Sequence, residues 1–79
     1  MKYTLNELNT VVLNKDIPEY DLVRGDIGVI VHKYNNSSGI EVEFVSGEGR
    51  TVGVITLTTS DVRPMAHGEI LHVRELHSA

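Results

Sequence analysis

The chain has no cysteine and no tryptophan, only two prolines, and a single phenylalanine beside three tyrosines. Without cysteine there is no disulfide framework, no thiolate nucleophile and no thiolate zinc ligand, so strand ladders and apolar packing must hold the fold. The shortage of rings leaves Tyr3, Tyr20, Tyr34 and Phe44 as the whole supply for an aromatic groove of the kind that grips proline-rich peptides, and Phe44 is expected in the core. Long apolar runs are missing too. No segment approaches the roughly 20 apolar residues that cross a bilayer, and Met1 to Glu7 lacks the apolar stretch of a signal peptide, so a cytoplasmic location and no membrane partner are expected. Positive charge is scarce: seven bases, spread singly from Lys2 to Arg74, face eleven acids, for a net charge of −4. No basic cluster is available to hold a phosphate backbone.

What remains is an ordinary folding composition, 41% hydrophobic and 23% charged over 79 residues. A chain this short forms one domain and buries only about 60% of its unfolded surface, which keeps burial against a second copy or another protein in view.

Hydrophobic alternation divides the chain into short strands. Thr4-Leu5-Asn6-Glu7 fits a capping box, with Tyr3 and Leu8 as a hydrophobic staple, and predicts one helical turn from Leu5. Val11 to Leu13 is a short β-branched strand. Asn14 to Arg24 is a polar excursion in which Ile17, Tyr20, Leu22 and Val23 can pin the loop to the core. Gly25 to Gly28 supplies a turn and a close backbone approach at the head of the next strand, and Ile27 to Tyr34 is that strand, with apolar residues on both faces, Ile30, His32 and Tyr34 sharing one of them. After the loop Asn35 to Gly39, Ile40, Val42 and Phe44 alternate with Glu41 and Glu43, so one face goes in and the other out. Ser46 to Arg50 is a second hairpin loop, and Thr51 to Leu57 a strand in which Gly53 predicts a bulge or a close backbone approach. Thr58 to Asp61 reads as a 3₁₀ turn, Val62-Arg63 as a stub strand closed by Pro64, and Glu69 to Leu76 as a final strand. The expected fold is therefore all-β: a small SH3-like barrel of five to six strands with one short N-terminal helical turn. The barrel occupies about residues 10–64, with an extra C-terminal strand at about 69–76, within a single domain of residues 1–79.

Candidate chemistry is thin. His67, His72 and His77 are spaced by five, which sends alternate rings to opposite faces of a strand, and His32 stands apart, so solvated or structural histidines are expected and no metal site. Glu41 and Glu43 share an open strand face that would solvate both alike, whereas an acid and base pair needs environments that push its pKa values apart. Ser37, Ser38, Ser46 and Ser60 lie in turn-like sequence without a glycine-flanked elbow, and Gly47-Glu48-Gly49 lacks the lysine and following helix of a phosphate loop. No catalytic or cofactor-binding residue is expected, and the chain is read as non-enzymatic.

Two resemblances are carried by particular residues. Gly25-Asp26-Ile27-Gly28-Val29-Ile30 is similar to the KOW motif of ribosomal proteins and transcription elongation factors, which implies a nucleic-acid-binding alternative; Asp16, Glu19, Asp21, Asp26, Glu41 and Glu43 oppose it by repelling phosphate. A longer match runs through Val11 to Glu19, Leu22 to His32, Ile40 to Val45 and Asp61 to Pro64. Over about residues 10–64 the chain resembles the bacterial family called domain of unknown function 4926. That resemblance implies a short SH3-like barrel protein, common in cyanobacteria, with no known catalytic residues and gene arrangements reminiscent of toxin and antitoxin pairs. Nothing carries over to Met65 to Ala79.

The expected function is a non-catalytic protein-binding module, an antitoxin-like or immunity-like partner of a basic protein. The alternatives are the KOW-like nucleic-acid binder and a self-assembling structural subunit, a homo-oligomer. The candidate partner-binding residues are Ile30, Tyr34, Glu41, Glu43, Ile70 and Val73: the carboxylates for charge, the rest for apolar contact or an extra strand edge. For Ile70 and Val73, ordinary core is the competing expectation.

Overall fold

Strand by strand, the alternation of β-branched and polar residues becomes a ladder. The computed structural model describes residues 5–47 and 49–65. Its strands are β1 (Thr10–Leu13), β2 (Ile27–Lys33), β3 (Gly39–Val45), β4 (Thr51–Thr58) and β5 (Val62–Pro64). All neighbours are antiparallel, in the order β4-β3-β2-β1-β5, which places the first strand between the second and the last. A 3₁₀ turn, Thr59–Asp61, links β4 to β5, and another, Pro18–Tyr20, lies inside the long connection after β1. This is the SH3-like order of strands.

β4 and β5 are at opposite edges of the sheet, yet Ile55 and Leu57 of the one and Val62 of the other belong to the same buried cluster as Val11, Ile30 and Phe44. A flat sheet could not bring its two edges into one core, so the sheet is curled on itself. No ladder joins β4 to β5 among the described residues, and the barrel is left open along that seam. The connection after β1 folds over the opening. Ile17 and Leu22 form an isolated antiparallel bridge and are both buried in the common core. Of the residues predicted to pin the loop, Ile17 and Leu22 do so by burial in the core, whereas Tyr20 stays 46% exposed, its ring lying over Gly53.

Gly28 is a true requirement of the fold. A Cβ at that position would lie 2.6 Å from a methyl of Val42 and 2.9 Å from the ring of Phe44, so β2 can cross β3 this closely only where no side chain intervenes. Gly25, at φ 98°, turns the chain into β2, and Asp26 fastens that turn by accepting from the Val23 amide at 2.9 Å. Asp26 is only 9% exposed, so this carboxylate is largely lost to the acidic surface to which the sequence assigned it.

Two expectations are modified. The N-terminal helical turn is instead a reverse turn: Asn6 and Asn9 hydrogen-bond each other, backbone to side chain and backbone to backbone, and Leu8 sits at φ 72°, outside helical geometry. Extended pairing wins there because the Leu8 amide donates to the Ile30 carbonyl at 2.7 Å and draws the segment onto β2. Tyr3 and Thr4, the rest of the predicted staple and cap, lie outside the described residues. In β2, Ile30 pairs with Val42 but His32 pairs with Glu41, so Val31 is an extra residue in a bulge. The bulge reverses the parity of the strand and turns His32 and Tyr34 away from the face that Ile30 occupies. In β4 the predicted irregularity is present, with Val52 as the extra residue beside Gly53. The proposed strand Glu69 to Leu76 lies outside the described residues.

Candidate functional site

The outer face of β2, β3 and β4 collects the polar groups. β3 sends Glu41 and Glu43 outward between Val29 and His32 of β2 and Val54 and Thr56 of β4, as their cross-strand pairings dictate. The Glu41 carboxylate accepts from the Tyr34 hydroxyl at 2.6 Å and from the Thr56 hydroxyl at 2.8 Å. Glu43 accepts from the Thr51 hydroxyl at 2.8 Å. The Tyr34 ring meets the His32 ring edge to face, 4.6 Å between centroids, and Nδ1 of His32 is 3.5 Å from Glu7. Glu7 also accepts weakly from the Lys33 amide at 3.4 Å.

The electrostatics follow from these contacts. The hydrogen bond from Tyr34, then that from Thr56, holds the Glu41 carboxyl below its usual range, while the same bond to Glu41 raises the Tyr34 phenol. At neutral pH Glu41 is therefore ionised and Tyr34 protonated, a phenol donating into a carboxylate. Two carboxylates held by hydroxyl donors on an open face make a negative surface patch. The carboxylates have no enclosure around them that would set one against the other as acid and base.

Of the residues expected to contact a partner, Tyr34, Glu41 and Glu43 come together on this face. Ile30 does not: it is fully buried, packed in the barrel core on the other side of the sheet, and cannot touch a partner without unfolding. Its parity was misassigned because Val31 is as β-branched as its neighbours and nothing in the residue pattern marks it as extra. Ile70 and Val73 lie outside the described residues, as do His67, His72 and His77. Thr51 and Thr56, which fix the carboxylates, were not singled out, and His32, weighed only as a metal ligand, instead buttresses Tyr34. The threonines were detectable in principle, since β4 must pair with β3 and a hydroxyl opposite an outward glutamate is a natural donor.

Exposed apolar groups border the carboxylates. Val54 is 51% and Val45 52% exposed, on the same outer surface as Glu43. A groove of about 460 Å³ runs between β4, from Val54 to Leu57, and the loop segment Lys15 to Tyr20. Its charged rim consists of Lys15, Asp16 and Glu19, and Lys15 is drawn to Asp61 at 3.8 Å. Among the described residues, no three histidine, aspartate or glutamate side chains are grouped to hold a metal ion, and no helix is long and apolar enough to cross a membrane.

Comparison with known proteins gives a family and no activity. No curated protein and no solved structure matches the chain. One family model matches residues 7–64, a span that contains all five strands, the bulge in β2 and both outward glutamates. The chain belongs to the family described as Domain of unknown function (DUF4926).

Proposed function

We propose that this protein is a non-catalytic binding module in the cytoplasm that docks a basic partner protein, in the manner of an antitoxin or immunity protein. The observation that carries this reading is the row of Glu41 and Glu43 on the outer face of β3, each carboxylate already oriented by a hydroxyl donor. Preoriented charge lowers the cost of ordering side chains on binding, and a negative face steers a positive partner toward it. Flanking Val45 and Val54 offer apolar contact beside the charges, the combination that protein interfaces use at core and rim.

A nucleic acid is the poorer partner for such a face. Binding a phosphate backbone depends on clustered lysine and arginine releasing counterions, and carboxylates at the centre of the surface oppose it. The test is affinity capture from lysates of the source organism, with and without nuclease treatment, followed by analysis of the retained protein by mass spectrometry and of any retained nucleic acid. A basic protein retained at low salt and released as salt rises supports the reading. Retention of RNA or DNA that disappears with nuclease treatment, with no protein left behind, overturns it in favour of the KOW-like alternative.

A further inference from the structure

Among the described residues, the backbone groups of Val54 and Thr56 on the side of β4 away from β3 have no hydrogen-bond partner. In an antiparallel ladder, alternate residues exchange both hydrogen bonds with their partner, and the residues between them turn amide and carbonyl to the other side. The Thr59 amide, donating to the Ser38 carbonyl at 3.0 Å, sets the phase of the β3 and β4 pairing. Carried along the register, it assigns the bonded pairs to Ile40 with Leu57 and Val42 with Ile55, and leaves Val54 and Thr56 with their backbone groups facing outward. The Thr58 amide, next in the same outward series, is taken by the Asp61 carboxylate at 2.9 Å. No strand pairs with the outward side of β4 among the described residues.

Val54 and Thr56 border the groove opposite Lys15 to Tyr20, so the free edge does not face open solvent on all sides but one wall of a slot. Ile17, Ile55 and Leu57 provide its apolar floor, and the opposite wall carries Asp16 and Glu19, with Lys15 turned toward Asp61. Among the described residues the slot thus has the three parts that strand addition requires: unpaired amides and carbonyls, apolar contact for side chains pointing in, and charge to select those pointing out. The charge is negative.

We propose that an extended segment of the partner protein, with lysine or arginine at alternate positions, adds to the edge of β4 at Val54 and Thr56. This rests on the protein-binding reading above and says where and in what conformation the partner docks. An added strand lies about 4.8 Å beyond β4, so its outward lysine or arginine side chains can reach back toward Glu41 and Glu43, while those nearer the loop meet Asp16 and Glu19.

The experiment uses the full chain, isotopically labelled, with a synthetic peptide of about eight residues alternating lysine and valine, and a glutamate and valine peptide as control. Amide shifts and hydrogen-exchange protection are followed by NMR. The expected result is binding of the basic peptide alone, with the amides of Val54 and Thr56 shifted and newly protected, and affinity that falls as salt is raised. Val54→Pro removes the amide hydrogen at a position whose bond does not belong to the β3 ladder, and should weaken binding at least tenfold while the circular dichroism stays that of the wild type. If that variant does not fold, Glu19→Lys on the opposite wall serves instead and should weaken the basic peptide several-fold. Absence of binding at about 1 mM basic peptide overturns the proposal. So does protection of Val54 and Thr56 that rises with protein concentration in the absence of peptide, which would make the edge a contact between copies. Shifts confined to His32, Tyr34 and Glu41 would reject the edge as the docking site and leave a protein-binding face standing.

Discussion

At the scale of single residues, the contact between Tyr34 and Glu41 makes a pH-dependent bond. Glu41 has a folded-state pKa below its ordinary 4.5, so its contribution is complete above that value and is lost as pH falls through the lowered one. Tyr34 is raised above 10.0, so its contribution is complete below that value and is lost as pH rises through the raised one. The bond is therefore strongest across the neutral range between those limits. Glu41→Gln removes the carboxylate that raises the phenol, and an ultraviolet titration of Tyr34 in that variant should move back toward 10.0. A Tyr34 titration unchanged by the substitution would mean that the hydrogen bond does not form in solution. Ile30 is the opposite case, a residue whose neighbourhood is set by burial. Ile30→Ala should destabilise the protein by about 2–5 kcal/mol in a urea melt, as large-to-small changes in a packed core do. Tyr34→Phe, at a half-exposed position, should leave the urea midpoint nearly unchanged.

At the scale of elements, β2 shows what the sequence reveals and what it conceals. Its start, length and β-branched content are plain from Gly25 to Lys33, and the clean alternation from Ile40 to Phe44 identifies the inward face of β3 without ambiguity. The bulge at Val31 is invisible in the same text, because inserting one valine into a run of valines and isoleucines changes no local preference and only the partner strand counts the extra residue. That single residue moved Ile30 from the expected contact surface into the core and brought Tyr34 out to Glu41. The N-terminal turn failed for a different reason: Leu5 to Asn9 has the composition of a helix start, but pairing with β2 competes for the same backbone amides and wins. Gly28 was legible as a close approach, and the prediction it supports is quantitative in direction. Gly28→Ala must displace Val42 and Phe44, and should cost about 1–3 kcal/mol or more by chemical denaturation, in contrast to the usual benefit of adding β-propensity to a strand. A neutral Gly28→Ala would show that β2 and β3 are looser than their packing indicates.

For the whole molecule, strand order and the distribution of charge can be argued apart. The curled five-stranded sheet answers the question of how a chain with no cysteine and one phenylalanine holds together: Phe44, Ile30, Val42 and Leu13 fill the centre, and the loop carrying Ile17 and Leu22 covers the seam. That much was readable from alternation and turn residues, since both depend on near neighbours. The assembly of Glu41, Thr56, Tyr34 and His32 depends on register across three strands and could be seen only once the ladders were in place. The two outward glutamates of β3 are the simplest lever on the sign of this surface. The most direct measurement compares how much of the captured basic protein is retained by the wild type and by the Glu41→Lys, Glu43→Lys double variant, at one salt concentration and with the two melting temperatures matched. Retention reduced at least tenfold in the double variant is the predicted result. Equal retention by the two proteins would contradict the account.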